Sequence, residues 1–434
     1  MRLPRAISHS PFFLLAAALA LSASAQDGRA VTDANKTTVP TTVIDGKPGE
    51  YPAFESIEIA RGIEVGYAIT TGDVNGDGKL DVVVADTNNL WWFENPNWYM
   101  RALTAPRATK PHNVSIAAAD LDGDGKVDFA VGADWRPFDT KSGGDVVWVV
   151  RGADPYLPWT VVPVSHEPTV HRVAAADLDG DGRQELINIP LMGRDSLKEK
   201  NWMDVPVRAL AYQPGADPRK DPWKEVVLDH SLHVSHNFDL VNWTGGKGKD
   251  ILIASYDGVH LFSRGGDGAW TKRRIGEGNQ VGAPNSLTKP NPSLGAGEIR
   301  LGKLPGGKRM IATVEPWHGH QCVAYIETDL EGLWPRHVID DAGLWGHSIH
   351  CADLRHAGHD DIIVGWRDPA TDRKKPGVVA YEPLDAEGTK WRKHVLEEGV
   401  AAEAVTVADL NGDGKLDLAI AGRGTHNVKL LIQK

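Results

Sequence analysis

Cysteine is nearly missing: Cys322 and Cys351 are the two in 434 residues. That excludes a disulfide framework, while composition leaves one bond or two thiols equally open. Long apolar runs are scarce as well. After the first 25 residues no stretch is long and apolar enough to span a membrane. The formal charge is −11 with no basic patch, so nucleic acid is not an expected partner. No Ser/His/Asp order and no phosphate-cradling glycine loop with a lysine occurs.

What is present begins with a leader. Arg2 and Arg5, an apolar stretch over residues 11–21 and the small residues Ala23 and Ala25 read as a secretory signal peptide, residues 1–25, cut after Ala25. Residues 26–434 form the mature chain, whose charge is −13 without Arg2 and Arg5. It is expected to be secreted or periplasmic, where Ca²⁺ is available.

An internal repeat organises the rest. Residues 171–189 read as a short apolar strand, an acidic loop and a second apolar strand. In that loop Asp177, Asp179 and Asp181 alternate, Gly182 permits a sharp turn and Glu185 closes at the ninth position. The spacing recurs as Asp73, Asn75, Asp77 and Asp81; as Asp120, Asp122, Asp124 and Asp128; and as Asp409, Asn411, Asp413 and Asp417. Hard oxygen ligands at alternate positions around a glycine turn suit Ca²⁺. A carboxylate at position nine with strands on both sides points to a β-hairpin calcium loop rather than a helix–loop–helix one. The plainer alternative is a set of Asp/Gly turns without metal. A fifth copy keeps Asp353 and Asp361 with Arg355 between them, and decayed copies stand at 236–250 and 298–309. The chain therefore holds seven units averaging 56 residues from Asp73 to Asp409.

Each unit continues past its hairpin with a third strand, such as 90–94 or 146–150, and a fourth opened by Trp98, Trp159, Trp223, Trp270, Trp334 or Trp391. Four antiparallel strands repeated seven times predict a seven-bladed β-propeller, with the tryptophans packing the blades. The last unit stops after three strands, and residues 54–59 form a spare strand before the first unit. The spare strand is expected to complete the last blade and close the ring.

Topology then sorts the faces. The acidic loops join first to second strands and share one face. On the other face, at the starts of the first strands lining the channel, stand Tyr67, His112, His171, His236, Glu298, His347 and Glu403. His112 lies two residues farther from its loop than the others, which calls for a bulge. The ends of the second strands add Trp135, Arg136, Arg194, Trp317, His318, His320, Arg367, Arg423 and His426. Aromatic and arginine side chains around a cleft suit sugar stacking and the binding of carboxylates or oxyanions. Insertions at 137–145, 193–207 and 276–297 fall on this face.

The acidic loops and their strands resemble FG-GAP, or VCBS-type, propeller repeats. Residues 315–320, 334–340, 346–347 and 422–428, with His112 and Asn113, resemble the propeller domain of the aldos-2-ulose dehydratases. Those enzymes dehydrate keto sugars such as 1,5-anhydrofructose and also carry cupin domains; an isomerisation tied to the cupins is not expected of the propeller. Some seven-bladed polysaccharide lyases place paired histidines in the channel too. Both resemblances imply β-elimination on a carbohydrate. A base takes the proton α to a carbonyl or carboxylate, donors or a cation hold the enolate oxygen, and an acid protonates the leaving oxygen. The expected base and acid are His112, His171 and His236. Arg136, Arg194, Trp317, His318, His320, Arg367, Arg423 and His426 are expected to bind substrate. A divalent metal in the central channel, held by Glu298, His347 or Glu403, is a further expectation. The competing reading is a calcium-binding carbohydrate or protein interaction module without catalysis.

Overall fold

In this computed structural model, residues 38–329 and 332–434 are described. The expected leader lies outside them. Among the described residues no helix is long and apolar enough to cross a membrane.

Seven antiparallel sheets follow one another around a ring. Blade 1 runs Ala68–Gly72, Asp81–Ala85, Leu90–Glu94 and Tyr99–Ala102. Blade 2 opens with Ser115–Ala119, blade 3 with Arg172–Ala176, blade 4 with Ser235–Val241 and blade 5 with Glu298–Lys303. Blades 6 and 7 open with Gly346–Ala352 and Ala402–Ala408. Six of the seven second strands are unbroken buried runs, as in Asp81–Ala85, Glu185–Ile189 and Asp417–Gly422, and the one in blade 5 is buried after Arg309. Each is sandwiched between neighbouring blades, so β-branched and aliphatic residues fill both faces. The outermost strand of blade 1, Tyr99–Ala102, is exposed throughout. Trp159, Trp334 and Trp391 are buried, and Trp98, Trp223 and Trp270 pack against core clusters. The tryptophan series is therefore blade packing.

Closure follows the expected route. Phe54–Arg61 pairs antiparallel with Asn427–Gln433 and gives blade 7 its fourth strand. Two shorter pairings upstream carry no repeat signal. Thr38–Val39 runs parallel to Arg336–Asp340 on the rim of blade 5, and Thr42–Asp45 runs parallel to Lys390–Glu398 on blade 6. The N-terminal segment thus covers the outer edges of blades 5 and 6 before it completes blade 7. Tyr51 fastens it between them, donating its hydroxyl to Asp361 Oδ2 at 2.6 Å and stacking on His394.

The acidic loops turn through left-handed glycines, Gly180 and Gly182 at φ +81° and +93° in blade 3. Their closing carboxylates are buried pins. Asp81 accepts the amides of Val74 and Asn95, Asp417 those of Leu410 and Gln433, and Asp128 that of Arg151 and the Trp148 indole. Glu185 accepts the Leu178 amide through Oε2. In blade 6 the Arg355 guanidinium occupies the loop and binds Asp361, its own cation in place of an ion.

Cys322 and Cys351 are free thiols in the core shared by blades 5 and 6. The 276–297 insertion is more ordered than its Pro/Asn/Gly composition predicts. It forms a hairpin, Asn279–Pro284 with Pro292–Gly295, clasped to the 193–207 insertion by Asn291 Nδ2 on Lys198 O and Asn201 Nδ2 on Pro292 O.

Candidate active site

All seven first strands line a central channel of about 370 Å³, as expected. Above it, on the face opposite the acidic loops, opens a cleft of about 330 Å³. Tyr67, Arg172, His347 and Glu403 line both.

The strand starts reach the cleft by three local devices. In blades 4, 6 and 7 the pairing slips by one residue, and the extra residues are His236, His347 and Glu403. A bulge frees its residue from the ladder and re-aims the side chain, here toward the channel mouth. Tyr67 and His171 stand just before regular strands. His112 is not in a bulge, contrary to expectation. It occupies a left-handed turn at φ +66°, its amide on Thr87 O and its carbonyl accepting the Trp135 amide.

The histidines form a chain of contacts. His171 donates its Nδ1–H to the His236 carbonyl, 3.0 Å away, and His347 donates its own to the Glu403 carbonyl, 2.8 Å away. A carbonyl only accepts, so both rings carry the proton on Nδ1 and leave Nε2 bare. His236 Nε2 meets His318 Nε2 at 2.7 Å, and its Nδ1 lies 2.7 Å from Glu298 Oε1, misaligned for a hydrogen bond. Ligand atoms of His236, His318 and His347 come within 4.8 Å of one another. Burial holds all four imidazoles well below their ordinary range, and the charge of Arg172 pushes His171, His236 and His347 the same way. They are neutral at neutral pH, fit to be bases or ligands and unfit to be imidazolium acids.

Of the residues expected to hold a channel metal, His347 falls in a ligand-sized group among the described residues and Glu298 and Glu403 do not. Glu403 is buried with two guanidiniums on it: Arg423 Nη1 binds Oε1 at 2.8 Å and Arg367 Nε binds Oε2 at 2.9 Å. Glu298 accepts from Asn237 and faces Arg172 at 3.7 Å. Glu403 is committed to two guanidiniums and Glu298 accepts from Asn237, while His347 groups with His236 and His318. Three imidazoles suit zinc or a related transition ion, and the Glu403 carbonyl behind His347 orients that ring as an outer partner does. On the acidic face, Asp177, Asp179 and Glu185 form one ligand-sized group, and Asp120, Asp122 and Asp124 another. Both are chemically fit for a hard cation.

Of the expected substrate binders, Trp317, His318, Arg367 and Arg423 line the cleft. Trp317 is buried beneath the His318 ring, 4.2 Å away and stacked, so it backs the histidine rather than offering a sugar platform. Arg136 is tied to Asp134 and Ser142, Arg194 to Glu167, and His426 to Glu64 O; with His320 they lie outside the cleft. Side-chain length does not overcome a rim position whose partners lie outward. Sequence reasoning missed Arg172, Trp345 and the apolar wall of Phe138, Leu191 and Leu287. Arg172 follows His171 on its strand, a signal hidden by alternation. Trp345 takes the Arg367 guanidinium 5.0 Å over its ring.

Comparisons with known proteins bear on the repeats and the propeller. Residues 73–131 match the FG-GAP-like repeat, residues 401–428 the FG-GAP repeat, and residues 143–328 the aldos-2-ulose dehydratase, beta-propeller domain. The aldos-2-ulose dehydratase of Phanerodontia chrysosporium is 25% identical over 382 residues, covering 82% of this chain and 40% of that protein. The chain thus spans well under half the length of that relative. The BBS1N chain of a crystal structure in complex with ARL6DN, soaked with lead, matches at TM-score 0.52 and 12% identity over 88% of this chain and 98% of that one. Its mercury-soaked counterpart gives TM-score 0.51 at 13% identity over the same shares, 88% and 98%. Likeness at that identity concerns the fold alone. The chain carries FG-GAP repeats and a propeller related to that of aldos-2-ulose dehydratase.

Proposed function

We propose that this protein is a secreted or periplasmic carbon–oxygen lyase that acts on a small sugar by β-elimination, a keto-sugar dehydratase. The observation that carries the reading is one cleft lined by His171, neutral and held in a single tautomer, by His318 and His347 and by two guanidiniums anchored on Glu403, with His236 buried against His171 and His318. The match over 143–328 includes three of those four histidines. The apolar wall encloses one side of the cleft, which favours a single sugar over a polymer chain.

His171 is the base. Its Nδ1–H is spent on the His236 carbonyl, so Nε2 takes the proton α to the sugar carbonyl. Arg367 and Arg423 offer their remaining N–H groups to the enolate oxygen. A divalent ion on His236, His318 and His347 would polarise the carbonyl as a Lewis acid. His236 therefore moves from the acid–base set to the holding of that ion. Ca²⁺ belongs to the acidic loops on the opposite face, where it stabilises the hairpins.

The test is ultraviolet absorbance of the unsaturated product from 1,5-anhydrofructose, other keto sugars and uronic-acid polysaccharides. His171→Ala should lower turnover by about 10²–10⁴-fold. Product from uronic-acid polymers alone would replace the dehydratase with a polysaccharide lyase. A sugar bound but unchanged in mass, with no absorbance from any substrate, would make the protein a binding module.

A further inference from the structure

The elimination proposed above, on which this inference rests, leaves one proton without a donor. The departing hydroxide must take up a proton, and the Nδ1–H groups of His171 and His347 are spent on the backbone carbonyls of His236 and Glu403, so neither ring has a free one to give. Tyr67 has one. It occupies in blade 1 the position that His or Glu fills in the other blades, it is 5% exposed, and it lines the cleft. Its hydroxyl lies 3.0 Å from His112 Nδ1. We infer that Tyr67 is the proton donor to the leaving oxygen and that His112 returns the proton to it.

Three features build the pair. Asn113 is buried with Nδ2 on Asp86 O, 2.9 Å away, which holds the left-handed turn that points His112 at the phenol. The Trp135 ring packs edge-on against Tyr67 at 5.8 Å and blocks another rotamer. The Arg423 guanidinium lies 5.4 Å over the phenol ring, placed to stabilise the phenolate once the proton has left. Burial raises the phenol pKa, so the proton stays on until it is needed, while Arg423 opposes the shift. Trp135 also packs near His171, ring centres 5.9 Å apart, and Tyr67, Trp135 and His171 all line the same cleft.

The steps balance. His171 Nε2 takes the α proton, and the C–H electron pair becomes the enolate π bond. The enolate re-forms the carbonyl as the double bond forms and the β C–O bond breaks. The phenol proton passes to the departing oxygen, giving water and a phenolate. His112 then gives its Nδ1 proton to the phenolate while its Nε2 takes one from solvent, and His171 releases its proton to solvent. No oxidant or reductant is consumed.

The test uses two substrates on the intact protein: a keto sugar with hydroxyl at the β carbon and its analogue with fluorine there. Fluoride departs without protonation. Tyr67→Phe should lower kcat about 10²–10⁴-fold on the hydroxyl substrate, with KM changed little, and release fluoride at close to the wild-type rate. Equal loss on both substrates, or no loss on either, would overturn the inference. If Tyr67→Phe melts early, His112→Gln carries the same comparison, with the same selective loss expected. A wild-type protein inert toward both would defeat the elimination reading itself, a result distinct from an active enzyme indifferent to Tyr67.

Discussion

His236 and His318 meet nitrogen to nitrogen, their Nε2 atoms 2.7 Å apart and their rings nearly perpendicular at 83°. Two neutral imidazoles at that separation share one proton, one ring donating and the other accepting. His347 lies 4.9 Å from each of them, ring centre to ring centre. A dication answers three converging nitrogens better than one proton does. The purified protein is expected to hold about one equivalent of transition metal, measured by elemental analysis, and the cobalt form should show a visible d–d band. His318→Gln should lose both. Equal metal content in His318→Gln and wild type would dissolve the site.

Calcium is expected to stabilise the acidic face, because an ion that binds only the folded chain raises its stability. Stripping with EGTA should lower the melting temperature, and readdition should restore it. Asp177→Asn with Asp179→Asn should blunt the response by removing two ligands of the group that includes Glu185. A melting temperature indifferent to both treatments would leave the loops as plain turns.

The N-terminal segment should be indispensable. Deleting residues 38–61 removes the fourth strand of blade 7 and bares the rims of blades 5 and 6. Such a chain is expected to aggregate through its open edges. The milder Tyr51→Phe, which leaves Asp361 without the phenol, should cost about 1–3 kcal/mol by chemical denaturation. A soluble deletion with an unchanged midpoint would contradict the closure seen here.

Acid should weaken the fold through a histidine away from the cleft. Burial, helped by the charge of Arg274, pushes His260 down to about 4. The unfolded chain, with its ordinary value near 6.5, binds the proton first, so stability is full above about pH 6.5 and falls toward pH 4. His260→Leu should flatten that slope by an amount on the order of a few kcal/mol. An identical pH profile of midpoints in wild type and variant would show that His260 does not contribute.

The sequence alone determined the repeat, the blade count, the closing strand and which residues stand at the channel mouth. An Asp/Gly turn, a β-branched run or a tryptophan is a local signal, and the closing strand, though it pairs with the far Asn427–Gln433, was marked by the fourth strand that the last repeat lacks. The parallel rim strands of residues 38–45 were illegible because they follow no repeat and pair with strands some three hundred residues away. The roles within the cleft were illegible for the same reason. Bulges lift His236, His347 and Glu403 out of their ladders, yet nothing in the strands marks them. Glu403 is committed by Arg367 and Arg423, and the imidazoles are made neutral by a shell drawn from different blades. Charge state and ligand grouping depend on desolvation and on partners brought in by other parts of the ring. Only the closed tertiary structure could therefore turn seven similar strand starts into an imidazole fixed in one tautomer, two imidazoles converging with His318, an anchor for two arginines and a phenol facing a histidine.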